Sequence, residues 1–171
     1  MPTLQLEPVG TAMIFYGLVL FMFSWQLFGK VDVKAAGYVV FAGGFIGLVM
    51  GLFAYTSLGL ALPGTLVIVF AVTFMVAGYW NIKGLDPKTL AYFLLYLGIA
   101  DAIYAVYFAT VGLYIFSTFC WAWFLVYLLF VLALLTGRPV YSTVAKYWCL
   151  LCCFATLLIP GFLLVSGMVF G

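Results

Sequence analysis

The side chains best suited to chemistry in this sequence are four cysteines, because the chain has no histidine. Cys149, Cys152 and Cys153 follow the i, i+3, i+4 spacing of one helical face, and Cys120 lies upstream. Four thiols are able to hold a soft metal ion. Because no histidine or carboxylate stands beside them, we interpret them as small, polarizable packing residues and expect no metal site.

The sequence lacks the residue arrangements on which most enzymes depend. It has no phosphate-binding loop, no nucleophile next to a base and no pair of carboxylates. We therefore expect neither an enzyme nor a resident cofactor. A net charge of +2 is also too small to indicate a nucleic-acid partner.

The composition places the chain in a lipid environment. Of its 171 residues, 69% are hydrophobic and only 6% are charged, and the mean hydropathy is +1.35. A soluble domain has about 25% charged residues. The first ten residues, MPTLQLEPVG, lack the basic segment of a cleaved signal peptide, so we expect none. The chain is predicted to be a multi-pass protein of the cell membrane (inner or plasma membrane), surrounded by lipids.

Polar and turn-forming breaks divide the chain into six apolar runs, each long enough to cross a bilayer as a helix. The predicted spans are roughly 8–28, 37–58, 63–82, 89–109, 113–136 and 145–169. The runs are too long for barrel strands and lack their alternation. We predict an all-α membrane protein, with residues 1–171 as a single six-helix domain.

The basic residues predict the orientation of these spans. All six fall between an odd span and the following even span: Lys30, Lys34, Lys83, Lys88, Arg138 and Lys146. Basic loops stay on the cytoplasmic side. We therefore expect these three loops to be cytoplasmic and both termini to lie outside.

Two of the basic loops resemble each other. GKVDVKAAG and KGLDPKTLA both contain an Asp-x-Lys segment, and Asp32 and Asp86 stand 54 positions apart. The spacing indicates three helical hairpins in series with one orientation, an arrangement found in transporters. It is equally typical of helix starts, with Asp as the N-cap and Pro87 in the first turn.

Two features within the spans invite a functional interpretation. Asp101 is the one clear charge inside a predicted span, and such residues face a cavity or a partner. It either contacts a permeating solute or makes a structural bond, for instance to Tyr104 or across a protomer interface. Gly43, Gly47 and Gly51 form a small-residue stripe that permits close packing, within a protomer or between protomers.

Three stretches resemble the urea and short-chain amide channel family, the UreI/AmiS family. The stretch GLVLFMFSWQLFGKVDVKAAGYVVFAGG is similar to its first hairpin, and FAVTFMVAGYWNIKGLDPKTLAYFLLYLGI to its third and fourth helices. YWCLLCCFATLLIPGFLLVSG is similar to its closing helix. The resemblance implies a homohexamer with one pore in each six-helix protomer. It also implies passive passage of small neutral solutes such as urea, formamide and acetamide.

Carried over by position, the resemblance also implies residues that line the pore. These are Leu20 in the first span, Phe70, Thr73 and Phe74 in the third, Trp123, Tyr127 and Phe130 in the fifth, and Cys152 in the sixth, to which we add Asp101. The three residues of the fifth span share one helical face.

Two other functions remain open from the sequence. One is a proton-coupled carrier of small monocarboxylates of the acetate type, and the other is a structural subunit without transport. Acid-gated members of the resembled family have long outer loops with protonatable groups. The outer loops predicted here are short and contain no His, Asp or Glu, so we expect a pore that external acid does not gate.

Overall fold

The computed structural model describes residues 6–168, and helices make up nearly all of this range. The helices are α1 (Glu7–Leu27), α2 (Val33–Thr56), α3 (Ala61–Lys83), α4 (Pro87–Thr110), α5 (Tyr114–Thr136), α6 (Pro139–Cys152) and α7 (Ile159–Val165). A π-helical turn, Cys153–Leu158, joins α6 to α7, so that Pro139–Val165 is one continuous span. Among the described residues, six helices are long and apolar enough to cross a membrane, which confirms the predicted number of spans.

The sixth span differs most from its predicted bounds. It begins at Pro139 instead of residue 145, because proline is well tolerated at the first helical position. Lys146 therefore lies inside α6 and not in the preceding loop, which corrects the sequence-based assignment. Its Nζ atom reaches back over the Phe28 ring, 4.9 Å from the centroid. The predicted end at residue 169 falls outside the described residues.

The two Asp-x-Lys segments are helix starts. Asp32 caps α2, and its Oδ1 atom accepts a hydrogen bond from the backbone N–H of Ala35 at 2.8 Å. Asp86 caps α4, and its Oδ2 atom accepts from the backbone N–H of Thr89 at 2.9 Å. The bond from the Thr89 backbone N–H, together with one that the Thr89 hydroxyl donates to the same oxygen, lowers the pKa of Asp86. The cap therefore contributes stability above the ordinary pKa of the carboxyl group, and the contribution is lost as the pH falls through the lowered pKa.

The six spans form a ring in chain order, in which each span packs on the next and the sixth returns to α1. The most extensive contact is between α2 and α3, followed by α4 with α5, whereas among neighbours in the ring α3 and α4 touch least. The connections α1–α2, α3–α4 and α5–α6 lie at one end of the bundle, here called the basic end. The opposite end, here called the distal end, carries the connections α2–α3 and α4–α5.

Glycines let α2 approach both of its neighbours closely. Towards α1, a Cβ atom added at Gly43 would lie 2.7 Å from Val19 Cγ2, and one at Gly47 would overlap the Tyr16 ring. Towards α3, a Cβ atom at Gly51 would lie 2.9 Å from Ile68 Cγ1. The predicted small-residue stripe therefore serves packing within the protomer.

We expect Gly47→Ala to destabilise the bundle by about 1–3 kcal/mol, the usual cost of overpacking a well-filled core. The added methyl group would overlap the Tyr16 ring, and the ring moves aside only by straining the bond from its hydroxyl to the Val67 carbonyl. The measurement is the thermal unfolding midpoint of the purified protein in detergent.

Ala42→Val is the matched control, because it adds methyl groups to an exposed position of the same helix. An unfolding midpoint for Gly47→Ala that equals those of the wild type and this control would contradict the packing role of Gly47.

Candidate functional site

A cavity of about 200 Å³ lies inside the ring of helices and extends to the basic end. We call it the basic-end cavity. Side chains of α1, α3 and α5 form most of its wall, and those of α4, α6 and the π-helical turn complete it. The lining residues are Tyr16, Leu20, Phe23, Gln26, Leu27, Phe70, Thr73, Phe74, Ala77, Asn81, Leu90, Leu94, Trp123, Val126, Tyr127, Phe130, Ala133, Leu134, Ser142 and Leu157.

A second cavity, of about 220 Å³, extends towards the distal end, and we call it the distal cavity. Its wall is almost wholly apolar. The lining residues are Leu6, Val9, Met13, Tyr16, Pro63, Leu66, Val67, Phe70, Phe108, Leu113, Phe116, Trp123, Leu157 and Leu164. None of the described residues that line either cavity is Asp, Glu, Lys or Arg.

Four residues line both cavities and form the wall between them: Tyr16, Phe70, Trp123 and Leu157. We call them the aromatic neck. The Phe70 and Trp123 rings meet edge to face with centroids 4.7 Å apart, and the Tyr16 and Phe70 centroids are 6.0 Å apart. All four are buried. A solute crossing from one cavity to the other would therefore pass between flat rings.

Hydrogen bonds to neighbouring helices hold two of these rings. Trp123 Nε1 donates to Thr156 Oγ1 at 2.8 Å, and that hydroxyl donates to the carbonyl of Cys152 at 2.8 Å. The Tyr16 hydroxyl donates to the carbonyl of Val67 at 2.5 Å. The ring donors of the neck therefore have protein acceptors, and the surfaces left to the cavities are apolar ring faces and edges.

Seven of the nine pore-lining candidates lie on the basic-end cavity: Leu20, Phe70, Thr73, Phe74, Trp123, Tyr127 and Phe130. The other two, Asp101 and Cys152, line neither of the two cavities. Cys152 is buried at the end of α6, and its backbone carbonyl supports Thr156.

Asp101 lies behind the cavity wall. It is 1% exposed, and its Oδ2 atom has no hydrogen-bond partner among the described residues. Gly98, one helical turn earlier, packs against Tyr127, so that a Cβ atom there would lie 3.2 Å from Tyr127 Cβ. The Oδ2 atom of Asp101 makes no bond to Tyr104, the partner that the sequence suggested.

Several lining residues were not identified from the sequence. Tyr16 and Phe23 follow from Leu20 by steps of four and three residues, so the helical face of α1 carried the signal. Gln26 and Asn81 are carboxamides in the last turns of two apolar spans, and polar groups at such positions are a recognisable indication of a site. Nothing in the sequence singled out Leu157 from the many other leucines.

The cysteines are buried free thiols: Cys120, Cys149, Cys152 and Cys153. Within the described part of the chain, no group of three or more His, Cys, Asp or Glu residues is placed to hold a metal ion. The thiols fill space between helices, since all four are at most 2% exposed.

The sequence model of the AmiS/UreI family transporters matches residues 9–168. The chain belongs to the AmiS/UreI family. This confirms the resemblance found in the sequence. The family consists of membrane transporters, which agrees with a chain of six membrane-spanning helices and with the expectation of no enzyme.

Two relatives of this AmiS/UreI protein are informative. A proposed transporter protein of Rhodococcus erythropolis, AmiS2, is 27% identical over 163 residues, which are 92% of this chain and 79% of that protein. The urea channel of Helicobacter pylori in its closed state has a TM-score of 0.83 with 18% identity, covering 94% of this chain and 98% of the channel. A crystal structure of that channel gives 0.80 over the same coverage. These similarities confirm the predicted six-helix fold.

We expect Thr156→Val to destabilise this AmiS/UreI protein by about 1 kcal/mol, because the buried indole N–H of Trp123 loses its acceptor. Thr156→Ser keeps the hydroxyl and is expected to retain the wild-type stability. Thermal unfolding in detergent, followed by near-ultraviolet circular dichroism, compares the three proteins. Equal midpoints for the valine and serine variants would show that this hydrogen bond does not hold Trp123.

Proposed function

We propose that this protein is a passive channel for urea or short-chain amides, among them formamide and acetamide. The pathway runs inside each protomer, from the distal cavity through the aromatic neck to the basic-end cavity. The observation that carries the proposal is that the two cavities share the four residues of the neck. Membership of the AmiS/UreI family and the fold of a urea channel support it.

The chemistry of the neck suits a small, planar and neutral solute. Urea and the short amides are flat enough to pass between rings, and pore selectivity depends on width and on the hydrogen-bonding groups along the wall. An ionised carboxylate would lose its hydration here without gaining a charged partner, which is costly. The uncharged lining therefore favours amide passage over proton-coupled transport of acetate.

The short distal connections support a channel without acid gating. Four residues, 57–60, join α2 to α3, and three residues, 111–113, join α4 to α5. None of these seven is His, Asp or Glu, so they offer no side chain that would take up a proton near neutral pH.

The proposal includes an orientation and an assembly. We place the basic end in the cytoplasm, because all six basic side chains belong to that end or reach towards it. We place both termini outside and the protein in the cell membrane. The family resemblance leads us to propose a homohexamer in which every protomer has its own pathway.

We expect vesicles containing the purified protein to take up urea and acetamide faster than protein-free vesicles, because these solutes then cross through the protein and not through the lipid. The uptake needs no proton gradient. Stopped-flow light scattering measures it at external pH 7 and at external pH 5, with the same rate expected at both. Acetate uptake that requires a proton gradient would contradict the proposal, and a large increase in urea uptake at the lower pH would contradict the absence of gating.

Phe70→Trp tests the route, because a larger ring at the neck is expected to slow urea entry. Phe45→Trp is the matched control, since Phe45 is 52% exposed on the outer face of α2. Equal urea rates in both variants would show that the solute does not pass the neck.

We expect a membrane-impermeant maleimide to label Ser57→Cys in intact cells and to label Lys30→Cys only after permeabilisation. Both positions are exposed, at the distal and basic ends respectively. The native cysteines are buried and give little background. The reverse labelling pattern would overturn the proposed orientation.

A further inference from the structure

Two carboxamide side chains meet on the wall of the basic-end cavity. Asn81 Nδ2 in the last turns of α3 donates to Gln26 Oε1 in the last turn of α1, at 3.0 Å. Both residues line the cavity and are half-buried. They stand at the basic end, beyond the aromatic neck, where a solute enters or leaves.

The pair leaves one side-chain donor and one side-chain acceptor without a partner in the protein. A carboxamide has two N–H donors and a carbonyl with two lone pairs. The bond between the residues uses one N–H of Asn81 and one lone pair of Gln26. Among the described residues, neither the Gln26 amide nitrogen nor the Asn81 carbonyl has a further side-chain hydrogen bond. If the side-chain oxygen and nitrogen of both residues exchange places, Gln26 becomes the donor and Asn81 the acceptor of the bond between them. One donor and one acceptor are again left without a partner.

Three other polar groups on the pathway are already engaged with the protein. The Thr73 hydroxyl donates to the carbonyl of Val69 at 2.8 Å, and the Tyr16 hydroxyl donates to the carbonyl of Val67. The Trp123 N–H donates to Thr156. A solute that has passed the neck therefore meets the amide pair, together with the hydroxyl residues Tyr127 and Ser142, as the polar part of the basic-end cavity wall.

We propose that Gln26 and Asn81 form a solute-selecting site for compounds with a carbonyl next to an N–H group. This inference rests on the proposed channel function and names residues that favour its substrate class. The solute carbonyl accepts from the Gln26 N–H, and the solute N–H donates to the Asn81 carbonyl. Acetate has no donor and would set its charged oxygen against the Asn81 carbonyl. Ammonium has no acceptor.

The double variant Gln26→Met and Asn81→Leu tests this site, because each replacement keeps the approximate size and removes the polar atoms. The measurement is the protein-dependent permeability of vesicles to urea, acetamide and ethylene glycol, after subtraction of the rate of protein-free vesicles. Ethylene glycol is a small neutral solute without a carbonyl or an N–H group. The urea and acetamide permeabilities are expected to fall about fivefold or more relative to ethylene glycol, because the solute loses both of its hydrogen bonds to the pair.

Ser24→Ala is the matched control for a merely structural role. Ser24 makes another bond between helices at the same level of α1, donating to the carbonyl of Lys146 at 2.7 Å, and it does not line the cavity. We expect this variant to keep the wild-type ratio of urea to ethylene glycol permeability. If Ser24→Ala changed that ratio as much as the double variant does, the proposal would be overturned. The change in permeability would then follow from weakened helix contacts and not from loss of the amide groups.

The remaining outcomes are also decisive. An unchanged ratio in the double variant, or an equal loss for all three solutes, would overturn the selecting site. Gln26→Met alone is the second variant if the double variant does not assemble, with the same ratio as the readout. If both variants fail to assemble while Ser24→Ala assembles, the role of the Gln26–Asn81 pair is helix packing. That outcome would also overturn the proposed solute-selecting site. A wild-type protein that passes none of the solutes would overturn the proposed channel function itself.

Discussion

The contact between Gly47 of α2 and the Tyr16 ring of α1 is the constraint on which the pathway depends. Without a side chain at Gly47, the ring fits between the two helices, and its hydroxyl reaches the carbonyl of Val67 on α3. One side chain thus connects the three helices and also forms part of the neck. Because small residues on α2 face both neighbours, α2 fixes the spacing of α1 and α3 without lining either cavity itself.

Lipid surroundings explain why the polar groups are arranged as they are. The bilayer offers no water to an unpaired donor, so polar groups in a span need partners within the protein. Trp123 meets this requirement by bonding to Thr156 in the π-helical turn, and Tyr16 by bonding to the Val67 carbonyl, so that these polar aromatic residues present apolar walls. The amide pair of Gln26 and Asn81 lies near the loops instead, where water reaches and open hydrogen-bonding capacity costs less.

Much of this fold was predictable from the sequence, because six apolar runs and six clustered basic residues constrain a membrane bundle strongly. The helix starts at Asp32 and Asp86 were predictable for a local reason, since an N-cap needs only residues close in the chain. The neck was predictable only in part. Tyr16 and Leu157 come together through the contacts of α1 with α2 and with the sixth span, and no spacing within one helix encodes such contacts. Asp101 attracted attention for its charge, yet it lies against α5 behind Tyr127, because the face of a helix that meets its neighbour depends on tertiary packing.

The uncharged neck has a consequence for the energy balance of a cell. A hydrated ion that entered it would give up water for ring faces and find no charged or carbonyl partner in exchange, a transfer of high free energy. A chain of water molecules would meet the same surfaces, so protons would have no continuous relay across it. For the proposed channel, this means that small neutral solutes cross the neck without an accompanying ion, so that their passage leaves the membrane potential intact.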